Sequence, residues 1–229
     1  MTGWSAADLG IVALSLKVAL VGTLLSTPVA VLVALALARG RFWGRSLLNV
    51  VVHLPLVMPP VVTGYLLLRL FGRRGPIGGW LESVFGIVIA FRWTGAALAA
   101  AVMGFPLMVR AIRIAIEQVD PQLEDTAASL GANKAWTIAT VTLPLALPGL
   151  LSGMVLAFAK SLGEFGATIT FVSNIPGETR TLALAIYSFT QTPGAEASLW
   201  GLVALSVAVS VGALFLAEGL GRRIDPKRR

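Results

Sequence analysis

The feature that most constrains this chain is the length of its apolar runs. A helix needs about 20 mostly apolar residues to cross the hydrocarbon core of a bilayer. Five segments meet that requirement, roughly 9–38, 47–71, 94–116, 145–166 and 198–220. A sixth apolar run, SVFGIVIAF at 83–91, is too short to cross and is expected to lie re-entrant or at the interface. Composition agrees: 56% of the 229 residues are hydrophobic and 13% charged, where a soluble domain has about 45–50% and about 25%. The expected fold class is all-α, a polytopic membrane protein of about five transmembrane helices, with residues 1–229 forming a single transmembrane domain. The opening MTGWSAADLG carries no basic leader, and the run behind it is too long for a signal-peptide core, so it is expected to stay as the first span.

The net charge is +7, yet so few charges leave no surface for a nucleic-acid groove, and no nucleic-acid partner is expected. Membrane topology accounts for the cations instead. Arg39, Arg41 and Arg45 lie between spans one and two, and Arg110, Arg113 and Lys134 at the end of span three and just beyond it. Arg222, Arg223, Lys227, Arg228 and Arg229 follow span five. With five spans these clusters share one side, the cytoplasm, which puts the N-terminus outside and the C-terminus inside. Arg69, Arg73 and Arg74 break the pattern on the outer side, where headgroups or a partner would meet them. There is no cysteine, and the single histidine, His53, cannot build a metal site alone; it reads as a hydrogen-bonded histidine in span two. No G-x-x-x-x-G-K-[ST] phosphate loop occurs, no catalytic constellation is spaced for chemistry, and no internal repeat supports an inverted-repeat carrier.

Several spans are interrupted. HLPLVMPPVVTG puts Pro55, Pro59 and Pro60 inside span two, and Pro28, Pro106 and Pro148 lie in spans one, three and four. Each removes a backbone donor, which is tolerated at membrane depth where the break packs in protein or lines a cavity. Lys160 and Glu164 fall at the outer end of span four, spaced to pair along a helix or to face a cavity, with Gly163 and Gly166 flanking Glu164-Phe165. Pro59, Pro60, Lys160, Gly163, Glu164, Phe165, Gly166 and Thr168 are the candidate lining of a translocation path.

Between spans three and four, at about 118–144, runs a polar but helical stretch containing EDTAASLGANKAWTIATVTLP. Asp120-Pro121 reads as an N-cap followed by proline at the first helical position. Glu124 and Asp125 suit the positive end of the helix dipole. Leu123, Ala127 and Leu130 form an apolar stripe, and Gly131 falls where a left-handed C-terminal residue belongs. A second short helix over NKAWTIATV then reaches Leu143-Pro144. A helix–glycine–helix elbow results, and its small residues Ala127, Ala128 and Gly131 would let another surface approach closely.

This stretch resembles the signature loop of importer-type ABC permeases: EAA, three residues, Gly, nine residues, Ile, any residue, Leu-Pro. Asp125-Thr126-Ala127 takes the EAA place, Gly131 is the glycine, and Val141-Thr142-Leu143-Pro144 closes the motif. The departures are Asp for Glu, Thr for the first Ala and Val for Ile; Glu124 stands one place early, so either acid can carry the role. The resemblance implies that the loop is a coupling helix seated on a separate ATPase subunit, through Glu124, Asp125, Ala127, Ala128, Gly131, Leu143 and Pro144.

SLGEFGAT at 161–168 resembles the oxyanion branch of that family, which handles molybdate, tungstate and sulfate. FVSNIPGETRTLALAIY, LPLVMPPVVTGYLLLRLFGRRGPIG at 54–78 and GFPLMVRAIR at 104–113 resemble the molybdate permease subunits more than the sulfate ones. The likeness covers residues 47–194. It implies a type I ABC importer permease fold in a bacterial or archaeal inner membrane. It also implies two copies of this chain, two ATPase subunits and an external substrate-binding protein. ATP and magnesium would then belong to the partner ATPase, and this chain would hold no cofactor. Arg69, Arg73, Arg74 and Arg180 would attract an anion at the outer mouth or meet the binding protein. Gly149 and Gly153 would allow close helix packing. A sulfate or thiosulfate permease, and an ATP-independent channel or carrier, are the alternative readings.

Overall fold

The computed structural model describes the backbone of residues 6–224 and the side chains of residues 8–215. Every regular element in that range is helical, as a bilayer requires of any backbone not closed into a barrel. The first helix, α1 (Ala6–Arg39), is followed by α2 (Arg45–Val57), α3 (Pro60–Phe71), α4 (Pro76–Phe85) and α5 (Trp93–Glu117). A short α6 (Pro121–Ser129) and α7 (Lys134–Thr137) lead through a π-helical turn, Ile138–Thr142, into α8 (Leu143–Leu162). Then come α9 (Gly166–Val172), α10 (Leu182–Thr190) and α11 (Glu196–Ile224).

Four helical stretches are long and apolar enough to cross a membrane: Asp8–Arg39, Trp93–Glu117, Lys134–Leu162 and Glu196–Phe215. Span two differs from the simple reading. Residues 47–71 do not form one kinked helix; α2 and α3 meet at 115°. Pro59 and Pro60 supply no N–H, so Met58 closes α2 on the Leu54 carbonyl and Pro60 opens a new helix at its first position. Span four ends earlier than expected: α8 stops at Leu162, residues 163–165 are not helical, and α9 starts at Gly166. The apolar run 83–91 is split, its first three residues ending α4 and the rest continuing without helix to α5.

Helix α5 is the centre of the bundle. Its Ala-rich stretch (Ala96, Ala97, Ala99 and Ala100) is buried, and small side chains there bring α1 very close. A Cβ on Gly22 of α1 would stand 2.7 Å from the Ala97 carbonyl oxygen. On another side α5 meets α8. Gly149 lies against Ala115, and a Cβ on Gly153 would lie 3.0 Å from the Met108 carbonyl oxygen. That glycine pair therefore serves packing within the chain. Two large apolar clusters make most of the core, beside a small one of Leu182, Ala185 and Leu202. One gathers Val18, Leu67, Ala96, Met103 and Phe171; the other gathers Leu37, Val52, Met108, Ile112 and Ile116. Large side chains also cover the outside, with Leu25 74% and Val57 82% exposed. In water such faces would be driven together, whereas lipid solvates them.

Polar contacts sort the helix ends. Arg39 at the end of α1 meets Val119 beyond α5 and Glu124 of α6, and Thr142 before α8 meets Glu124 too. Arg113 of α5 bonds Asn49 of α2 at 3.2 Å. At the other end, Ser15 Oγ accepts the Leu182 N–H at 2.7 Å, and Glu178 Oε1 accepts the Trp93 N–H at 3.4 Å. Arg39, Arg113 and the elbow thus share one end of the bundle, in keeping with their assignment to one membrane side. Lys227, Arg228 and Arg229 lie outside the described residues, as do the side chains of Arg222 and Arg223.

The orientation has a direct check because the chain contains no cysteine. A Cys in place of Ile175, in the loop after α9, should react with a membrane-impermeant maleimide in intact cells. A Cys in place of Ser129, in α6, should react only after permeabilisation; the reversed pattern would invert the topology.

Candidate functional site: the elbow and the broken helices

The elbow is built from two caps placed back to back. Asp120 Oδ1 accepts the Gln122 N–H at 2.9 Å and Pro121 occupies the first turn, so α6 starts where expected. After Ser129 the chain turns left-handed at Gly131, with φ 92°. The Gly131 N–H then bonds the Ala128 carbonyl and the Ala132 N–H bonds the Ala127 carbonyl, both at 3.0 Å. Those two bonds are the Schellman closure, which satisfies carbonyls that a helix end would otherwise leave bare. Two residues later Asn133 Oδ1 accepts the Trp136 N–H at 2.9 Å and starts the next helix.

That next helix does not remain separate. After Thr137 it widens into the π turn, where the Leu143 N–H bonds Ile138 O, and then becomes α8. Pro144 explains the widening: it cannot donate to Thr140 and its ring would crowd that carbonyl in α geometry. Leu143 and Pro144 are therefore where the elbow becomes a membrane-crossing helix. The expected apolar stripe turns outward, with Leu123 47% and Leu130 85% exposed. Ala127, Leu130, Gly131, Asn133, Trp136 and Thr140 line an open hollow of about 480 Å³. Of the two acids, Glu124 turns inward, 3.1 Å from Arg39 and 2.8 Å from Thr142 Oγ1. Asp125 and Ala128 are exposed.

The second assembly lies where α3 and α9 pack together. Gly64 is so close to α9 that a Cβ would stand 2.5 Å from the Ala167 carbonyl oxygen, and one on Gly166 would stand 2.8 Å from Pro60 Cβ. Both helices begin at breaks, α3 after Pro59 and α9 after Phe165. Glu164 is buried at the second break. Its Oε1 accepts the Ala167 N–H at 2.9 Å and its Oε2 accepts from Lys160 Nζ at 3.0 Å. The carboxylate therefore does what the missing helix would have done, filling a free backbone donor and neutralising a cation at membrane depth.

Sequence-chosen path residues separate here. Pro60 packs on Gly166 and Lys160 pairs with Glu164, while Pro59 and Gly163 are exposed beside the breaks. Phe165 packs at a tilt against Tyr187 with ring centroids 4.8 Å apart, and Thr168 is buried in the protein. Arg69, Arg73 and Arg74 are exposed at the end of α3, with Arg73 3.7 Å from Glu82. Arg180 donates to Asn174 Oδ1 at 3.0 Å. His53 Nδ1 lies 2.8 Å from the Asn49 carbonyl, the hydrogen-bonded state expected. No group of three metal-ligating side chains occurs among the described residues.

Some contacts had no legible signal. Arg39 counted only as a topology marker and Thr142 only as a filler position in the motif. The loop after α9 is stitched by buried Thr179, whose Oγ1 accepts the Ile175 N–H and donates to the Ser173 carbonyl. Ser173 is held there at φ 63°, a strained value for a residue with a side chain. Lys17 sits 3.6 Å from the centre of the Trp93 ring, a cation–π contact between α1 and α5.

Spanning helices, two of them broken, and an outward elbow joined to the central helices fit a transport permease. The comparisons agree. Residues 26–229 match the family model described as binding-protein-dependent transport system inner membrane component. The chain is 53% identical over 221 residues to the molybdenum transport system permease protein ModB of Haemophilus influenzae, covering 96% of each. It is 57% identical over 211 residues to ModB of Escherichia coli (strain K12), covering 92% of each. The sulfate transport system permease protein CysT of Escherichia coli (strain K12) is 36% identical over 196 residues, 84% of this chain and 70% of that one. Among solved structures, a bacterial ABC transporter that imports alginate has the same fold, with TM-score 0.76, 18% identity, and coverage of 96% of this chain and 81% of that one. The chain belongs to the family of binding-protein-dependent transport system inner membrane components.

Gly131 supplies a local test. A side chain at this left-handed position costs about 1–2 kcal/mol. Gly131→Ala should therefore speed amide hydrogen exchange at Gly131 and Ala132 by about 5- to 30-fold, and Gly131→Asn by less. Equal exchange in all three proteins would show that the Schellman closure does not form.

Proposed function

We propose that this chain is the membrane-spanning permease subunit of an ATP-driven importer for molybdate. The observation that carries the transport reading is the elbow: its hollow and exposed Leu130 face outward, while its backbone continues without a break into α8. A surface seated there can push on α8 directly. Identity of 53% along 96% of both chains supports molybdate as the substrate.

ATP hydrolysis belongs to a separate subunit, present in two copies and holding the nucleotide and magnesium. An external binding protein delivers the anion, and a second copy of this chain completes the path in the inner membrane. Glu124, Asp125, Ala127, Ala128, Gly131, Leu143 and Pro144 form the coupling element. Pro59, Pro60, Lys160, Gly163, Glu164, Phe165, Gly166 and Thr168 are the residues of this chain that flank the path. Lys160, one-third exposed, can donate to a passing anion, while its pairing with Glu164 keeps that anion from being held tightly. Exposed Arg69, Arg73 and Arg74 offer a positive field at the outer mouth or to the binding protein. The 36% identity to a sulfate permease makes sulfate the second substrate to test.

In proteoliposomes containing the chain, its ATPase and its binding protein, molybdate and tungstate should stimulate ATP hydrolysis and sulfate should not. Gly131→Leu should insert normally and lose the stimulation. Stimulation by sulfate alone would assign the other oxyanion, and uptake independent of ATP would make the chain a channel or carrier.

A further inference from the structure

We propose that Glu124 is the internal latch of the elbow, a positioning residue that ties the movement of α6 to both α1 and α8, whereas Asp125 is the acid left facing the partner. The inference rests on the permease reading and concerns which residue transmits the push. A single oxygen, Glu124 Oε1, accepts three donors: Arg39 Nε at 3.2 Å, Arg39 Nη2 at 3.1 Å and Thr142 Oγ1 at 2.8 Å. The same Arg39 Nη2 also donates to the Val119 carbonyl at 2.9 Å, one residue before the Asp120 cap. The end of α1 and the entrance to α8 therefore converge on one carboxylate, and Arg39 ties the link from α5 to α6 into the same cluster.

Each anchor is itself held. Arg39 belongs to the last turn of α1, where Arg45 Nε and Nη2 bond the Leu37 carbonyl at 2.9 and 2.6 Å. Thr142 is fully buried and is the last residue of the π turn. A π turn holds one surplus residue and marks where a helix can change register at low cost. Glu124 grips the residue at its end, so α6 cannot advance without carrying α8 or slipping the turn. With side chains only 23% exposed, Arg39 and Glu124 form a less screened pair than an open surface one.

Asp125 is placed differently. It lies one position further around α6 and is exposed; its backbone carbonyl accepts Ser129 Oγ at 2.9 Å, and among the described residues no contact involves its carboxylate. The two neighbouring acids thus divide the work, one facing the bundle and one facing out.

The test uses the whole complex in proteoliposomes, with two readouts: ATPase co-purified per permease, and ATP hydrolysed per molybdate imported. Glu124→Gln keeps the shape and an acceptor for Thr142 but loses the ion pair; Glu124→Ala loses both. Both should retain a full complement of ATPase while ATP consumed per anion rises by about five-fold, within the range such networks carry. Arg39→Gln should do the same, and the double variant Arg39→Gln/Glu124→Gln should be no worse than either single one. Asp125→Asn should instead lower the ATPase that co-purifies. An unchanged ATP-to-anion ratio in the Glu124 variants would overturn the latch, as would loss of ATPase binding equal to that of Asp125→Asn. Should Glu124→Ala fail to insert, Glu124→Gln and Thr142→Val carry the same comparison. A wild-type chain that never binds the ATPase contradicts the permease reading itself, and that result is read before any variant is made.

Discussion

Close packing of α1 and α8 on the small-residue faces of α5 is the contact on which both functional regions depend. Gly22 meets Ala97 on one side, and Gly149 and Gly153 meet Ala115 and Met108 on another. Lipid is as apolar as leucine, so burial alone does not drive these helices together; what holds them is dense contact between backbones that lack bulky side chains. The consequence is mechanical. One end of this three-helix unit carries the elbow, and α8 at its other end passes into Lys160 and the break at Gly163. A displacement of the elbow therefore has a stiff route to the broken helices.

The second constraint is the backbone's need for hydrogen bonds. Breaking a helix at membrane depth costs several kcal/mol for each orphaned group unless protein replaces the lost partner. The α8–α9 break meets that requirement through Glu164, whose two oxygens take the Ala167 N–H and Lys160. At the α2–α3 break, prolines remove the donors altogether, so fewer groups are left to satisfy. The α8–α9 break thus sits beside the Lys160–Glu164 pair, and the α2–α3 break meets the start of α9 through Pro60 and Gly166.

Much of this was legible in the sequence because its signals are local. Asp120-Pro121 and Gly131 announce caps whose geometry depends on neighbours only one to four residues away, and the elbow forms as read. Apolar length located the spans for the same reason. What sequence did not reveal depends on contacts far along the chain. Arg39 and Glu124 are 85 residues apart, and nothing near either one marks the pair. The 115° turn between α2 and α3 was likewise hidden: three prolines predict an interruption, but its angle is set by packing of α3 on α9 through Gly64. Phe165 and Thr168 share a motif with Glu164, but the tilted contact of Phe165 with Tyr187 and the burial of Thr168 depend on distant packing that the motif does not announce.

The central claim is that the elbow is the seat of a separate ATPase. A photo-reactive amino acid at Leu130, exposed on the hollow, should cross-link to the ATPase in native membranes, with a yield that changes when nucleotide is bound. The same probe at Leu25, on an exposed apolar face of α1 away from the elbow, should capture no ATPase. Cross-linking to the ATPase from Leu25 but not from Leu130 would contradict the account.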